Sequence, residues 1–234
     1  MNGLDGTGAD SAEALREQIY QRLCEGLRSG RFAPGEKITI RQIANLEGTS
    51  PTPVREALYR LVADGTLEAE ANRSARVPRL SGTDIREMRD IRTTVEGLAA
   101  TRAAELSDES LVTQLRVINT KLQRARTQGD HVTDLRCVYE WQFTLYRACQ
   151  MPHLIRIIEG LWLRTGPYLT LMYPDYVQHV NAVNGDWRER ICVALERHDA
   201  YAVRQEIDRD IRDGLTHFAG IVEASHLLST GTRR

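Results

Sequence analysis

The side chains best suited to chemistry near the start of the chain are basic and hydroxyl groups within and beside "GTSPTPVREALYRL", Gly48 to Leu61. Guanidinium groups bind phosphate oxygens and base edges, and hydroxyl groups also donate hydrogen bonds to phosphate. This chemistry suits double-stranded DNA if one surface carries the whole set. On spacing alone, solvated arginines on a small helical domain are the alternative. The candidate DNA-binding residues are Arg41, Ser50, Thr52, Arg55, Tyr59, Arg73 and Arg76.

The cysteines and histidines give no sign of a metal or catalytic site. The four cysteines are scattered along the chain, and the six histidines do not cluster. No nucleophile–base pair or glycine-rich phosphate loop is evident, so we expect neither an enzyme nor a cofactor. A net charge of −1, 27% charged residues and the lack of a long apolar stretch indicate a soluble, cytoplasmic protein. Any DNA-binding patch must therefore be local.

Two prolines stand at the front of the helical pattern "PVREALYRL". A residue before a proline is disfavoured in the α region, so we expect Thr52 to be the N-cap and Pro53 the first helical residue. Pro51 in turn keeps Ser50 extended. Such a helix would present free backbone N–H groups and the positive end of its dipole to phosphate.

The elements that must position these side chains form a winged helix-turn-helix. The pattern predicts a helix carrying Leu15 to Leu27, a short helix from Ile40 to Leu46, the proline-fronted helix, and a hairpin with its turn at 72–74. In this motif the second helix of the pair enters the major groove with its N-terminal residues at the base edges.

Residues 12–80 resemble the N-terminal domain of GntR-type bacterial transcription regulators. The matching pieces are "LRSGRFAPGEKI", "RQIANLEGTS", "TPVREALYRLVADGTLE" and the wing ending "RVPRLS". The sequence departs from the family pattern at Pro51, usually an arginine, and at Ser74, usually the wing-tip glycine. Pro51 implies either a different operator or relaxed specificity, and Ser74 implies a different depth of entry into the minor groove. The resemblance assigns DNA contact to Arg41, Thr52 and Arg55.

The chain after residue 82 has helical periodicity almost throughout. We expect an all-helical domain at 83–228, with a boundary near 79–82 and disordered tails at 1–11 and 229–234. The predicted fold class is mainly α, with an N-terminal winged helix-turn-helix joined to a bundle of about six helices. Its last four helices are expected near 131–149, 152–172, 175–197 and 199–226.

This second domain resembles the effector-binding FCD domain of the FadR-like branch of the same family. The matching pieces are "MRDIRTTVEGLAATRAAE", which carries Arg92 and Glu96, "LYRACQMPHL" and "ICVALERHDAYAVRQEI". Many members hold a divalent metal there with one aspartate and three histidines, below a small carboxylate. The positions that correspond to these ligands are Val138, Gln142, Arg188 and Asp210, and none of them is a histidine. A shifted alignment, which places Glu140 and Thr144 at the first two positions, also lacks histidine. We therefore expect no bound metal.

Two charged residues of this domain are predicted to face its interior. Arg188 shares a helix face with Ile191 and Leu195, and Asp210 lies on an apolar face of the last helix. A buried charge must be paired. In one interpretation Arg188 and Asp210 pair with one another and with Gln142, which closes the former metal cavity. In the other, Arg188 binds the carboxylate of an organic acid by a bidentate contact.

The sequence therefore predicts a homodimeric, operator-binding transcription regulator whose helical domain senses a small organic acid without a metal. The alternative is a regulator of the same type whose helical domain serves only dimerisation. The predicted effector-binding residues are Arg92, Gln142, Arg188 and Asp210.

Overall fold

The computed structural model describes residues 6–71, 74–172 and 185–231 of the chain. It confirms the mainly helical fold class. The helices are α1 (Gly6–Arg28), α2 (Ile40–Glu47), α3 (Pro51–Ala63), α4 (Gly82–Glu105), α5 (Glu109–Gln128), α6 (His131–Arg147), α7 (Pro152–Met172), α8 (Trp187–Glu196) and α9 (Ala200–Gly231). The strands are β1 (Lys37–Thr39), β2 (Glu68–Glu70) and β3 (Ser74–Arg76).

The chain divides into two compact units at the Arg79–Leu80 bond. The N-terminal unit contains the residues up to Arg79 together with Trp162–Thr170. The helical unit contains the remaining residues from Leu80 onward. The sequence did not indicate that part of α7 joins the first unit.

The core of the N-terminal unit lies between α1, α3 and the sheet. Ile19, Leu23 and Leu27 of α1 are buried with Val54 and Leu61 of α3 in one hydrophobic cluster. Burying each side chain of this size contributes roughly 1.5–3 kcal/mol relative to leaving it in water. The four-residue repeat that predicted α1 is thus the repeat that anchors α3.

The short helix α2 has a defined start and end. Thr39 and Gln42 form a capping box, because the Thr39 hydroxyl accepts from the Gln42 N–H and the Gln42 side chain accepts from the Thr39 N–H. Gly48, with φ 61°, caps the other end. These two signals hold α2 within one residue of its predicted span.

The start of α3 corrects the sequence prediction. Ser50 is the N-cap, with φ −70° and ψ 159°, and Pro51 is the first helical residue. The expectation that Thr52 is the cap and Pro53 the first helical residue is therefore wrong. Pro51 supplies a helical φ where a missing N–H costs nothing. Burial of Pro53 and Val54 holds the next residues in place, although the α region is disfavoured before proline.

The two strands of the predicted hairpin are present as β2 and β3, and a third strand joins them. Residues 72–73 of the predicted turn lie outside the described residues. Ala69 of β2 and Ile38 of β1 both pair antiparallel with Ala75 of β3, so the strand order is β1-β3-β2. The sequence did not predict β1, because three residues are too few to show an alternating pattern.

The helical unit is built around the pairing of α4 with α9. Helix α5 packs against α6 and α8, α6 also packs against α4, and α8 also packs against α9. Small side chains on α4 allow the neighbouring helices to pack closely against it. Its fully buried alanines are Ala99, Ala100, Ala103 and Ala104.

Several element ends in the chain differ from prediction. Helix α8 begins at Trp187 and not near 175, because Gly185 has φ 56° and Asp186 caps the helix by accepting from the Glu189 N–H. Residues 175–184 of that predicted helix lie outside the described residues. None of the described helices is both long and apolar enough to cross a membrane.

The terminal helices extend into both predicted tails. Helix α1 begins at Gly6, inside the tail predicted for 1–11, and α9 continues to Gly231, past 228. Once a helix is nucleated, each further residue adds a backbone hydrogen bond at little cost, so buried helices extend beyond their apolar repeats. The outermost parts of both tails, 1–5 and 232–234, lie outside the described residues.

Candidate DNA-binding surface and buried polar cluster

The first turn of α3 exposes two hydroxyl groups and one backbone donor. Ser50 and Thr52 are exposed. The Ser50 hydroxyl makes no capping bond, because Pro53, at a position whose N–H a cap would bind, has none. Pro51 also lacks an N–H, so Thr52 is the only donor among the first three helical residues. This corrects the expectation that α3 presents several free N–H groups to phosphate, and DNA contacts must depend on side chains.

Two arginines of the predicted surface have no carboxylate partner. Arg41 is exposed in the first turn of α2, and Arg55 is half-buried in α3, one turn before Tyr59, which is 60% exposed. Among the residues that the structure describes, neither arginine forms an ion pair or a side-chain hydrogen bond. These two guanidinium groups are therefore available for phosphate or base edges. Other arginines of the unit are paired: Arg16 with Glu56, Arg22 with Glu47, and Arg60 with Glu17.

In the wing, Arg76 bonds within the sheet. Its guanidinium donates to Glu70 and, over 2.6 Å, to the carbonyl oxygen of Gly35. The Arg76 bond and a 3.2 Å ion pair with Lys37 lower the pKa of the Glu70 carboxyl. These groups hold the sheet together, and DNA contact by Arg76 stays a prediction. Arg73, also predicted to bind DNA, lies outside the described residues.

In the helical unit, Arg92 belongs to a buried hydrogen-bonded chain. Arg92 Nε donates to Glu96 over 2.6 Å, and the Tyr146 hydroxyl donates to the other Glu96 oxygen over 2.7 Å. Glu96 and Tyr146 are fully buried. Burial, with the nearby Glu96 charge, raises the pKa of Tyr146 well above its usual value, so the hydroxyl keeps its proton. A buried carboxylate is satisfied here by protein groups.

Asp210 and Gln142 lie next to this chain. Gln142 Nε2 donates to Asp210 Oδ2 over 3.4 Å. Burial raises the pKa of Asp210 to about 6, against the opposing positive charges of Arg188 and Arg92. The other amide atom, Gln142 Oε1, is buried and accepts no hydrogen bond from any described residue. An unfilled buried acceptor costs about 1–3 kcal/mol, so this position favours a donor that the described residues do not provide.

Arg188 is packed between aromatic rings. The side chain is 4% exposed, and its guanidinium carbon lies 4.3 Å from the centre of the Trp187 ring and 5.5 Å from that of Trp141. A cation over an indole face is stabilised electrostatically. Both indole N–H groups are buried and have no acceptor among the described residues. The rings thus offset part of the cost of burying the charge and add two unused donors.

The residues at the family's metal positions do not fit a transition metal. Gln142, Arg188 and Asp210 provide one amide, one cation and one carboxylate, and Val138 provides no donor. Zinc and related metals need three or four N, S or O ligands that converge on one point. Within the described ranges, no three His, Cys, Asp or Glu side chains are grouped closely enough to hold a metal.

Sequence reasoning placed the polar residues of this cluster but missed its aromatic ones. The structure brings Gln142 against Asp210 and places Arg188 close enough for its charge to act on the Asp210 carboxyl. Trp141 precedes Gln142 and Trp187 precedes Arg188 in the sequence, so a tryptophan beside two of the predicted polar residues was a usable signal. Tyr146 lies four residues after Gln142, a spacing that puts both on one helix face.

Comparison with known proteins agrees with this two-part organisation. Residues 15–77 match the family described as "Bacterial regulatory proteins, gntR family", and residues 87–213 match the FCD domain. The HTH-type transcriptional regulator McbR of Escherichia coli is 31% identical over 170 residues, which is 73% of this chain and 77% of that protein. A protein of Paenarthrobacter nicotinovorans named "Probable D-xylose utilization operon transcriptional repressor" is 40% identical over 161 residues, 69% of this chain and 71% of its own.

Solved structures show the same fold. The structure of E. coli McbR/YncC superposes with a TM-score of 0.76 at 28% identity and covers 87% of this chain and 96% of its own. A GntR-type regulator from Rhodococcus sp. RHA1 gives a TM-score of 0.68 at 18% identity, covering 88% and 97%, and supports the fold alone. The winged helix has two arginines without a carboxylate partner among the described residues, and the FCD model and relatives matched over about three quarters of their length agree with it: the chain belongs to the gntR family of bacterial DNA-binding transcriptional regulators, in the branch with an FCD domain.

Proposed function

We propose that this regulator senses a small organic acid in its helical unit, without a bound metal, and that the acid changes the affinity of a homodimer for its operator. Members of the family regulate transcription by binding DNA. The single observation that carries it is the buried Arg188, seated on two indole rings beside Gln142 and the raised-pKa carboxyl of Asp210.

The atoms around Arg188 define the class of ligand. A guanidinium binds a carboxylate through two parallel hydrogen bonds. The unused indole N–H groups of Trp141 and Trp187 are further donors, whereas Gln142 Oε1 is an unused acceptor. A ligand that satisfies both kinds of group carries a carboxylate and also a hydrogen-bond donor. A hydroxylated organic acid has this combination.

The same charges argue for a metal-free mode of binding. Arg188 replaces a histidine of the family's metal set, and its positive charge repels a divalent cation. The ligand carboxylate would then meet Arg188 directly. One carboxylate, Asp210, and one amide, Gln142, leave a metal short of donors.

A homodimer follows from the reach of one recognition helix. A single α3 reads only a few base pairs, and two-fold proteins match two-fold operators. In the helical unit, α4 exposes two apolar side chains seven residues apart, Ile91 at 40% and Leu98 at 41%. This spacing places them on one helix face and provides part of a self-complementary surface. Sedimentation should show a dimer at micromolar concentration with and without DNA; a monomer in both states would contradict the dimer.

A second candidate is a regulator whose helical unit only dimerises. The chain from Arg92 through Glu96 to Tyr146 favours it, because these buried groups satisfy one another without a ligand. Under that function Arg188 and Asp210 would form part of a closed core, and no acid would change the stability of the protein.

Ligand-induced thermal stabilisation separates the two candidates. The wild-type chain is heated with millimolar members of a panel of mono-, di- and hydroxycarboxylates. A ligand at 100 times its Kd stabilises the folded state by about 2.7 kcal/mol. Arg188→Ala should abolish the shift, whereas Arg197→Ala, an exposed arginine at the end of the same helix, should keep it. A panel that stabilises neither wild type nor control would support the dimerisation function instead.

A further inference from the structure

Part of α7 belongs structurally to the N-terminal unit. The helix begins at Pro152 in the helical unit, but Trp162–Thr170 groups with the residues up to Arg79. Leu163 is 6% exposed and lies in the same hydrophobic cluster as Leu27 and Leu61. The core beneath α3 therefore contains a side chain from a helix that comes much later in the chain.

At Gly166 the backbone of α7 lies close to the backbone at the end of α1. A Cβ atom added there would lie 2.5 Å from the Leu27 carbonyl oxygen and 2.8 Å from the Arg28 Cα. Backbone atoms cannot turn aside as a long side chain can, so only glycine permits this approach. The next residue, Pro167, cannot donate a hydrogen bond to the Leu163 carbonyl, which weakens the helix at the same point.

Two hydrogen bonds fix the segment on either side of this contact. Arg164 Nη2 donates to the carbonyl oxygen of Asp64 over 3.1 Å, and Asp64 is the C-cap of α3. The Tyr168 hydroxyl donates to the carbonyl oxygen of Pro78 over 2.9 Å, just beyond the wing strand β3. The segment thus contacts the end of α1, the end of α3 and the chain leaving the wing.

We infer that the α7 segment Trp162–Thr170 positions α3 and the wing for DNA binding, with Gly166 and Tyr168 as positioning residues. With the segment displaced, α3 and the wing would bind DNA in an altered position, with fewer phosphate contacts and a lower affinity. Because α7 is one continuous helix from Pro152, it also provides a route by which a ligand could change DNA affinity. This last step rests on the proposed function, whereas the dependence of DNA binding on the docked segment does not.

The chain offers a matched pair of glycines for the test. Gly160 and Gly166 lie on the same helix, and an added Cβ at Gly160 would meet no atom within 4 Å. The full-length variants Gly166→Ala and Gly160→Ala are compared with wild type for binding to a duplex that the wild-type protein selects from a random pool. No organic acid is added. We expect Gly166→Ala to lose affinity by about tenfold or more and Gly160→Ala to bind as wild type.

A milder pair keeps the test valid if Gly166→Ala does not fold. Tyr168→Phe removes one hydrogen bond and keeps the buried ring, and Tyr201→Phe changes a tyrosine that is 74% exposed. Tyr168→Phe should weaken DNA binding several-fold and reduce the slope of log Kd against log salt, because a displaced α3 loses phosphate contacts. Tyr201→Phe should change neither quantity.

The salt slope distinguishes positioning from general stability. A variant that only unfolds more easily binds less DNA but keeps the wild-type slope in its folded fraction. Wild-type affinity and slope in both Gly166→Ala and Tyr168→Phe would overturn the inference. Lost affinity with an unchanged slope in Tyr168→Phe would also overturn it, since the residue would then support only the fold.

Discussion

The substitution Asp210→Asn should stabilise the protein at neutral pH, although it removes a charge close to two arginines. The pKa of Asp210 is raised from 3.8 to about 6, mainly by burial. Around it, Arg188, Arg92 and Arg126 favour the carboxylate and Glu96 opposes it, and these effects are already contained in the pKa. A difference of about 2.2 units corresponds to about 3 kcal/mol at 1.36 kcal/mol per unit.

The sign of the effect follows from proton linkage. Between about pH 4 and pH 6 the folded protein holds a proton on Asp210 that the unfolded chain has lost, so stability decreases as the pH rises through this window. Above pH 6 the whole cost is present. The asparagine side chain of the variant would carry no charge and therefore no cost. Because Asp210 keeps some accessible surface, we expect a gain of about 1–3 kcal/mol at pH 7.5, or a Tm higher by roughly 2–10 °C.

Urea unfolding from pH 4 to pH 8 measures this directly. The curves for wild type and Asp210→Asn should meet near pH 4 and diverge as the pH rises. The control is Asp90→Asn, an exposed carboxylate whose pKa Arg89 lowers, and it should bring no gain at neutral pH. If Asp210→Asn is less stable than wild type at pH 7.5, the carboxylate is a stabilising partner of Arg188, and the closed-core interpretation of the cluster is correct.

Two other experiments test the DNA-binding surface and the proposed absence of a bound metal. Arg55→Ala and Arg41→Ala should each cost about 1–3 kcal/mol in DNA binding if they reach bases, whereas a loss that is similar on all sequences with a shallower salt slope would indicate phosphate contact. Arg16→Ala, whose side chain is paired with Glu56, should bind as wild type; equal affinity of all three variants would refute the placement of α3. Elemental analysis of protein purified without chelator should find no stoichiometric zinc, nickel or manganese, and one equivalent per chain would refute the metal-free site.

The elements predicted well are those whose signals lie within a few residues. The leucine repeat of α1, the glycine that ends α2 and the alternation in the hairpin strands are local, and local signals survive folding when burial reinforces them. The start of α3 shows the limit of such rules. The preference against a helical residue before Pro53 was overridden, because Pro53 and Val54 are buried and Pro51 already has a helical φ.

The parts that the sequence could not give depend on partners far away in the chain. Arg76 has a basic side chain of the kind expected at a DNA-contacting wing, and only the fold shows it bonded to Glu70 and Gly35. The role of Gly166 depends on the backbone of Leu27, which no local pattern connects to it. In the polar cluster, periodicity indicated that Arg188 faces inward, but it did not indicate that the guanidinium packs against an indole ring.

The central claim is that an acid bound at Arg188 controls DNA binding, and fluorescence anisotropy of the selected duplex tests it most directly. The duplex is titrated with protein in the presence and absence of the acid that raises the Tm most. We expect this acid to change the Kd of the wild-type protein by about 5–150-fold, the usual range of allosteric coupling. We expect Arg188→Ala to bind DNA as wild type without acid and not to respond to the acid. An unchanged Kd for the wild-type protein, or a full response from Arg188→Ala, would show that an acid at Arg188 does not control DNA binding.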